Sequence, residues 1–139
     1  MSPEDMKAAV RRYLTEIHHN DNLAVVDEVF HKDFVGHATP PVRGLDALRV
    51  VFKSAMDALS DRTVTFNHLL VEGDFITVHV TIAGKHTGEF LGVKPTGKVV
   101  RSEAIMIERF QDGQIIEAWP QSNQLQVMQE LGFSVTPPE

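Results

Sequence analysis

The chain has 139 residues, 42% hydrophobic and 23% charged, with no cysteine. That bounds it to one ordinary globular domain with its own core and excludes disulfides, thiolate catalysis and cysteine-ligated zinc. A net charge of −6 with scattered Lys and Arg argues against a nucleic-acid surface, which needs clustered cations; no apolar run approaches the ~20 residues that span a bilayer.

The start, MSPEDMKAAV, is polar and acidic. It does not read as a secretory signal, so the expected compartment is the cytoplasm. Ser2-Pro3-Glu4-Asp5 reads as a helix N-terminus: a capping hydroxyl, a proline at the first helical position, then carboxylates at the positive end of the dipole. Met6, Val10, Tyr13, Leu14 and Ile17 follow at helical spacing. HHNDN stops this helix. Leu23, Val26, Val29 and Phe30 mark a shorter one, capped by Asn20 or Asp21. Phe34 and Val35 suit a short strand or a turn, and HATPPVRG is loop. Leu45, Leu48, Val51, Phe52, Ala55, Met56 and Leu59 form a third helix.

The pattern then becomes that of strands. Thr63 to Val71 is rich in β-branched residues, and Glu72-Gly73-Asp74 is a turn. Phe75 to Ala83 alternates, with Ile76, Val78, Val80 and Ile82 on one face and Thr77, His79 and Thr81 on the other. Gly84 to Gly97 reads as an irregular arm. Val99 to Phe110 is a strand, Asp112-Gly113 centres a hairpin turn, and Ile115 to Gln121 is the last strand. Asn123 can cap a closing helix that Gly132 ends. Helices followed by a run of antiparallel strands make an α+β domain, expected to span residues 1–139 as one unit.

Gly92 to Lys98 matches the first seven positions of a phosphate-binding loop. The next residue is Val99, where such a loop needs Ser or Thr to hold magnesium, and the segment enters a strand rather than a helix. The glycines are better read as loop punctuation.

GKHTGEFLGVKPTGKVV, IERFQDGQIIEAW and LQVMQELG together resemble the SnoaL-like polyketide cyclase family of the nuclear transport factor 2-like superfold. The matching positions are Gly84, His86, Gly88, Pro95 to Lys98, Arg109, Asp112-Gly113, Ile115, Glu117, Trp119 and Gln129 to Gly132. VDEVFHKDFVGH and GLDALRVVF resemble the family's early segment and third helix. The resemblance implies a cone-shaped α+β barrel, with N-terminal helices on the concave face of a curved antiparallel sheet and a short C-terminal helix. It also implies a homodimer and a pocket between sheet and helices. Activity in the family is cofactor-free acid–base chemistry, such as aldol closure of polyketide esters, with an Asp as acid/base. Many members carry that Asp four residues after the Trp. Here the position is Asn123, and an amide cannot exchange a proton as a carboxylate does.

Histidine is the natural acid/base near neutral pH. His79 sits on the polar face of an otherwise apolar strand. If that face lines the cone, a desolvated titratable group stands where the family often places Arg; otherwise the face is solvent-exposed. His37 matches a family His near the pocket mouth, or is a loop residue. His86 belongs to the Gly-x-His motif, or ties down the arm through a hydrogen bond. Glu103 shares the parity of Ile105 and Ile107. Facing inward it becomes a base of raised pKa; facing outward it is a salt-bridged surface residue. Trp119 offers a flat wall for a ring, and Asn123 a hydrogen bond to an oxyanion or simply a helix cap. Tyr13 and Phe52, aromatic residues of the first and third helices, complete the expected substrate-binding set. His18, His19 and His31 read as cations at helix ends. His68 shares the parity of Val64, Phe66 and Leu70, at the core or pocket margin.

No His-x-x-x-His, His-Glu-x-x-His or Gly-x-Ser-x-Gly pattern occurs. No metal, cofactor or serine nucleophile is therefore expected. The expected ligand is a hydrophobic small molecule, cyclic or carbonyl-bearing, either converted by acid–base catalysis or only bound. An epoxide hydrolase would need an Asp-Arg-Asp constellation that the sequence does not assemble.

Overall fold

A computed structural model describes residues Met1–Glu139. Four helices and six strands follow in the order α1 (Pro3–Asn20), α2 (Val25–Val29), β1 (Phe30–Gly36), β2 (Val42–Arg43), α3 (Gly44–Ala58), β3 (Leu59–Glu72), β4 (Phe75–His86), β5 (Val99–Gln111), β6 (Gln114–Ser122) and α4 (Gln124–Glu130). Helix α1 starts as its sequence predicts. The Ser2 hydroxyl accepts the Asp5 N–H at 3.0 Å and the Asp5 carboxylate accepts the Ser2 N–H, a capping box that satisfies two otherwise orphaned donors. Asp21 closes the helix in the left-handed conformation instead of capping the next one.

The strands form one sheet in the order β2-β1-β6-β5-β4-β3. The three long pairings, β3 with β4, β4 with β5 and β5 with β6, are antiparallel hairpin neighbours. The pairing of β1 with β6 is parallel, a departure from a wholly antiparallel sheet. Its cause is topological: β1 enters from α2 in the direction of β6 and docks on the sheet's free edge.

The curled sheet wraps its concave face around the helices. Tyr13, Leu14 and Ile17 of α1, Val26 of α2 and Phe30 of β1 are buried against Ile76, Val78 and Val80 of β4. Phe30 makes edge-on contacts with Tyr13 at 4.9 Å and Phe34 at 5.2 Å between ring centres. Each such buried aromatic contributes on the order of 1.5–3 kcal/mol from burial alone.

Register shifts in the sheet set which side chains reach the interior. In β3 the register shifts between Phe66 and His68, so Phe66 pairs with Val80 while His68 pairs with His79. Val64 and Phe66 face inward before the shift, Leu69 and Val71 after it. A single inserted residue thus reverses the parity of everything downstream. A second shift lies between Arg109 and Phe110, opposite β6. Beyond β4 the arm from Thr87 to Lys98 folds back on α3, where the Thr87 and Gly88 N–H groups donate to the Ala58 carbonyl. A Cβ on Gly88 would overlap the Asp57 carbonyl oxygen. This glycine is required by close approach, not by a left-handed φ. No helix is long and apolar enough to cross a membrane.

Candidate functional site

A cavity of about 210 Å³ lies between the concave sheet and the helices. Its walls are Ala55 and Ala58 of α3, Ile82 of β4, Val100 of β5, Phe90 of the arm, and Val127 and Leu131 of α4. Five elements bring polar groups to it: His18 from α1, His86 from β4, Ser102 from β5, Ser122 from the end of β6 and Gln124 from the start of α4.

His86 is fully buried. Its Nδ1 accepts the Thr96 N–H at 3.2 Å, and the Thr96 hydroxyl lies 2.9 Å from the same nitrogen. A nitrogen that accepts an N–H carries no proton, so the neutral ring is protonated at Nε2. That Nε2 is buried and has no partner in the protein. His18 lies one turn after Leu14 on the buried face of α1, and its Nδ1 is likewise buried and unpartnered. Burial, reinforced by the nearby Arg62 guanidinium, holds the His18 pKa down to about 4, so the ring is neutral at pH 7. Buried nitrogens without partners are rare in folded proteins; two of them belong to residues in the wall of this one apolar cavity.

A second buried polar pair sits in the aromatic part of the core. The Tyr13 hydroxyl donates to Glu108 Oε2 at 3.0 Å, and Glu108 Oε1 has no partner. Burial lifts the Glu108 pKa to about 7 despite the Tyr13 bond, and burial beside that carboxyl raises the Tyr13 pKa. Neither residue lines the cavity.

Of the residues singled out from the sequence, His86 alone lines the cavity. For His79 and Glu103 the structure takes the outward of the two alternatives, a solvent-side face and a salt-bridged surface carboxylate. The Ile76, Val78 and Val80 face of β4 packs on the helices, so the His79 face turns outward. There His79 Nδ1 lies 2.9 Å from His68 Nδ1, and His79 Nε2 lies 3.0 Å from Glu103 Oε1. His68 joins this outer cluster because of the β3 bulge, not the core margin. Trp119 pairs with Ile107 on the same outer face, and His37 stacks on it. Asn123 stands at the start of α4 but makes no side-chain cap. Its amide oxygen accepts the Glu103 N–H at 2.9 Å and its amide nitrogen donates to the Arg101 carbonyl at 3.2 Å, latching α4 to β5. Tyr13 is a core residue bound to Glu108. Phe52 packs near Tyr13 and Phe30 at about 6 Å, away from the cavity wall.

His18 is corrected as well: the sequence reads it as a cation at a helix end, and the structure buries it as a neutral ring in the cavity wall. The signal was available, since His18 continues the Val10, Leu14 spacing onto the buried face. Glu108 was legible in the same way, sharing parity with Val100 and Phe110 in β5. Among the His, Asp and Glu side chains no group of three or more is placed to hold a metal ion.

The sequence matches the SnoaL-like polyketide cyclase family over residues 8–131. Solved structures of similar fold include AclR from Streptomyces galilaeus, a candidate hydroxylase. It is 23% identical, with a TM-score of 0.86 over 99% of this chain and 91% of that one. TsrD from Streptomyces laurentii is 21% identical, with a TM-score of 0.85 over 95% of this chain and 98% of that one. IdmH from Streptomyces antibioticus, a candidate polyketide cyclase, is 26% identical, with a TM-score of 0.77 over 96% of this chain and 100% of that one. A comparison with curated proteins finds no match.

Proposed function

This chain belongs to the SnoaL-like polyketide cyclase family, and on that premise we propose that it performs cofactor-free acid–base catalysis, of the cyclisation or isomerisation type, on a hydrophobic cyclic or carbonyl-bearing metabolite. The observation that carries this reading is the pair of buried imidazoles, His18 and His86, in the wall of one apolar cavity, each with a ring nitrogen that has no partner. His86 Nε2–H polarises a carbonyl and stabilises the oxyanion as it forms. Neutral His18 is the proton acceptor. Its low basicity rises when negative charge develops beside it, because a neighbouring anion favours the charged imidazolium. A dry, apolar wall strengthens both interactions.

The assembly we propose is a homodimer joined through the outer sheet face, where Phe75, Ile105 and Ile107 are exposed beside Trp119. Nothing in the charge balance favours nucleic acid, and a chain without cysteine suits a reducing cytoplasm.

The test is α-proton exchange. The protein is incubated in D2O with aryl ketones and aromatic β-keto esters, and loss of the α-proton signal is followed by NMR. Exchange faster than buffer, abolished in His86→Phe and His18→Phe, supports catalysis. Ligand binding without exchange favours the second reading, a binding protein on the same scaffold. One observation speaks for that alternative: Asn123, where many family members carry Asp, is an amide engaged with the β5 backbone.

A further inference from the structure

His68 and His79 face one another across β3 and β4 on the outer side of the sheet, away from the cavity. Their Nδ1 atoms lie 2.9 Å apart, and that gap makes up most of the 5.2 Å between ring centres, with the planes inclined by 9°. The rings therefore meet head to head, nitrogen to nitrogen, close to one plane. Two bare lone pairs at this distance repel, so a proton or another cation belongs between them. The third member of the cluster decides which nitrogen is bare. Glu103 Oε1 lies 3.0 Å from His79 Nε2. A carboxylate only accepts, so Nε2 carries the hydrogen and neutral His79 presents an unprotonated Nδ1. A carboxylate behind an imidazole is the arrangement that readies the opposite nitrogen for a metal ion. Glu103 is itself anchored, since its N–H donates to the Asn123 amide oxygen at 2.9 Å.

Without metal, His68 Nδ1–H donates to His79 Nδ1. Moving that hydrogen to His68 Nε2, on an exposed residue, frees a second ligand nitrogen with no proton lost overall. Two nitrogens at about 2.0–2.1 Å from one ion and at right angles to each other are about 2.9 Å apart, whereas a tetrahedral ion holds them about 3.3 Å apart. The observed gap suits the tetragonal geometry of Cu(II) or Ni(II), and of these Cu(II) binds nitrogen more tightly. The rings need to turn toward the ion but not to separate. Two protein nitrogens fall short of the three that hold a catalytic zinc, so water completes the coordination. Strand pairing after the β3 bulge makes this pair, which is why no helical His spacing announces it. Because β3 is the edge of the sheet, His68 stands at the margin of the apolar strip of Phe75, Ile105 and Ile107.

We propose that His68 and His79 form a binding site for a tetragonal divalent cation, Cu(II) in preference to Ni(II) and Zn(II), and that Glu103 is the positioning residue that presents His79 Nδ1 to it.

The experiment titrates the full chain with copper(II) chloride near neutral pH, by calorimetry with glycine as competing chelator, and reads the bound ion by electron paramagnetic resonance. One ion per chain is expected, with a tetragonal signal split by two imidazole nitrogens. His68→Gln and His79→Gln should each weaken binding roughly tenfold or more, and Glu103→Ala by a similar factor. Glu103→Gln, whose amide oxygen still accepts the His79 Nε2–H, should recover most of the loss, which a merely structural role for the carboxylate would not give. His19→Gln and His31→Gln should bind as wild type does. If a variant does not fold, NMR of the wild-type chain decides: a small amount of paramagnetic Cu(II) should broaden the ring protons of His68 and His79 before those of any other histidine. No binding, fewer than two nitrogens in the signal, first broadening at another histidine, affinity unchanged in His68→Gln and His79→Gln, or zinc bound as tightly as copper would each overturn the site. Unchanged affinity in Glu103→Ala would overturn the role given to Glu103.

Discussion

His37 lies flat against Trp119, with ring centres 5.1 Å apart and planes inclined by 15°, while its Nε2 sits 2.6 Å from Glu117 Oε2. The indole therefore has one titratable ring stacked on it, and that ring is clamped by a carboxylate. Because Trp119 is the only tryptophan, its emission reports this outer corner alone. Removing the stacked ring exposes the indole face to water, so His37→Ala should shift the emission maximum to longer wavelength than wild type at the same pH. Ligands that enter the cavity should leave the emission unchanged, since Trp119 is not in its wall.

Glu117 carries the other half of this corner. The His37 bond, then that of Arg109 at 2.9 Å, holds its carboxyl below the usual range. A carboxyl depressed in the fold contributes stability above its unfolded pKa and loses it as pH falls through the folded one. Glu117→Gln should therefore show a shallower acid-side loss of stability than wild type in urea titrations below pH 4.5.

Glu108 and His18 pull in opposite directions with pH. Glu108 titrates near 7 in the fold against 4.5 ordinarily, so its contribution is whole below 4.5 and lost as pH rises through 7. His18 titrates near 4 against 6.5, so its contribution is whole above 6.5 and lost as pH falls through 4. Each spans about 3 kcal/mol across its window. Relative to wild type, Glu108→Gln should gain stability as pH rises from 4.5 to 7.5, and His18→Gln should lose it. Urea midpoints at several pH values read the slopes, and parallel curves would refute both assignments.

The outer face predicts an assembly. Ile107→Glu puts a charge in the middle of the exposed apolar strip with Phe75, Ile105 and Trp119. Sedimentation equilibrium should show a dimer for wild type and a monomer for the variant, with the far-UV spectrum unchanged.

Phe30 tests the core. It is buried at the meeting point of α1, β1 and α3, with Tyr13, Phe34 and Phe52 around it. Phe30→Ala should cost about 3–5 kcal/mol by denaturant unfolding.

Most elements could be read from periodicity, because each is long and patterned. Pro3 opens α1, and the alternation of Phe75 to Ala83 marks β4. The placement of site residues was harder for specific reasons. His68 has inward parity by counting, and only the bulge before it turns it outward. In β5 both parities carry apolar residues, so Ile105 and Ile107 leave the direction of the Glu103 face open. Arg101 and Arg109 on that same face are the contrary signal, since guanidinium groups rarely line an apolar core. His79 was placed by analogy with a pocket-facing Arg, against the strand's own pattern, which sends Ile and Val inward. His86 belongs to a motif and to an inward position at once; it stands in the cavity wall and also ties the arm through the Thr96 N–H.

Gly88 sits in a half-buried loop, where sequence is ordinarily free to drift. Here the Asp57 carbonyl occupies the space that any side chain would need. In a saturation library of this chain, position 88 should retain glycine alone among viable clones, while neighbouring Thr87 and Glu89 accept most replacements. Glycine at 88 is thus a mark by which distant sequences sharing this helix-and-arm junction can be recognised, even where their cavities have diverged beyond comparison.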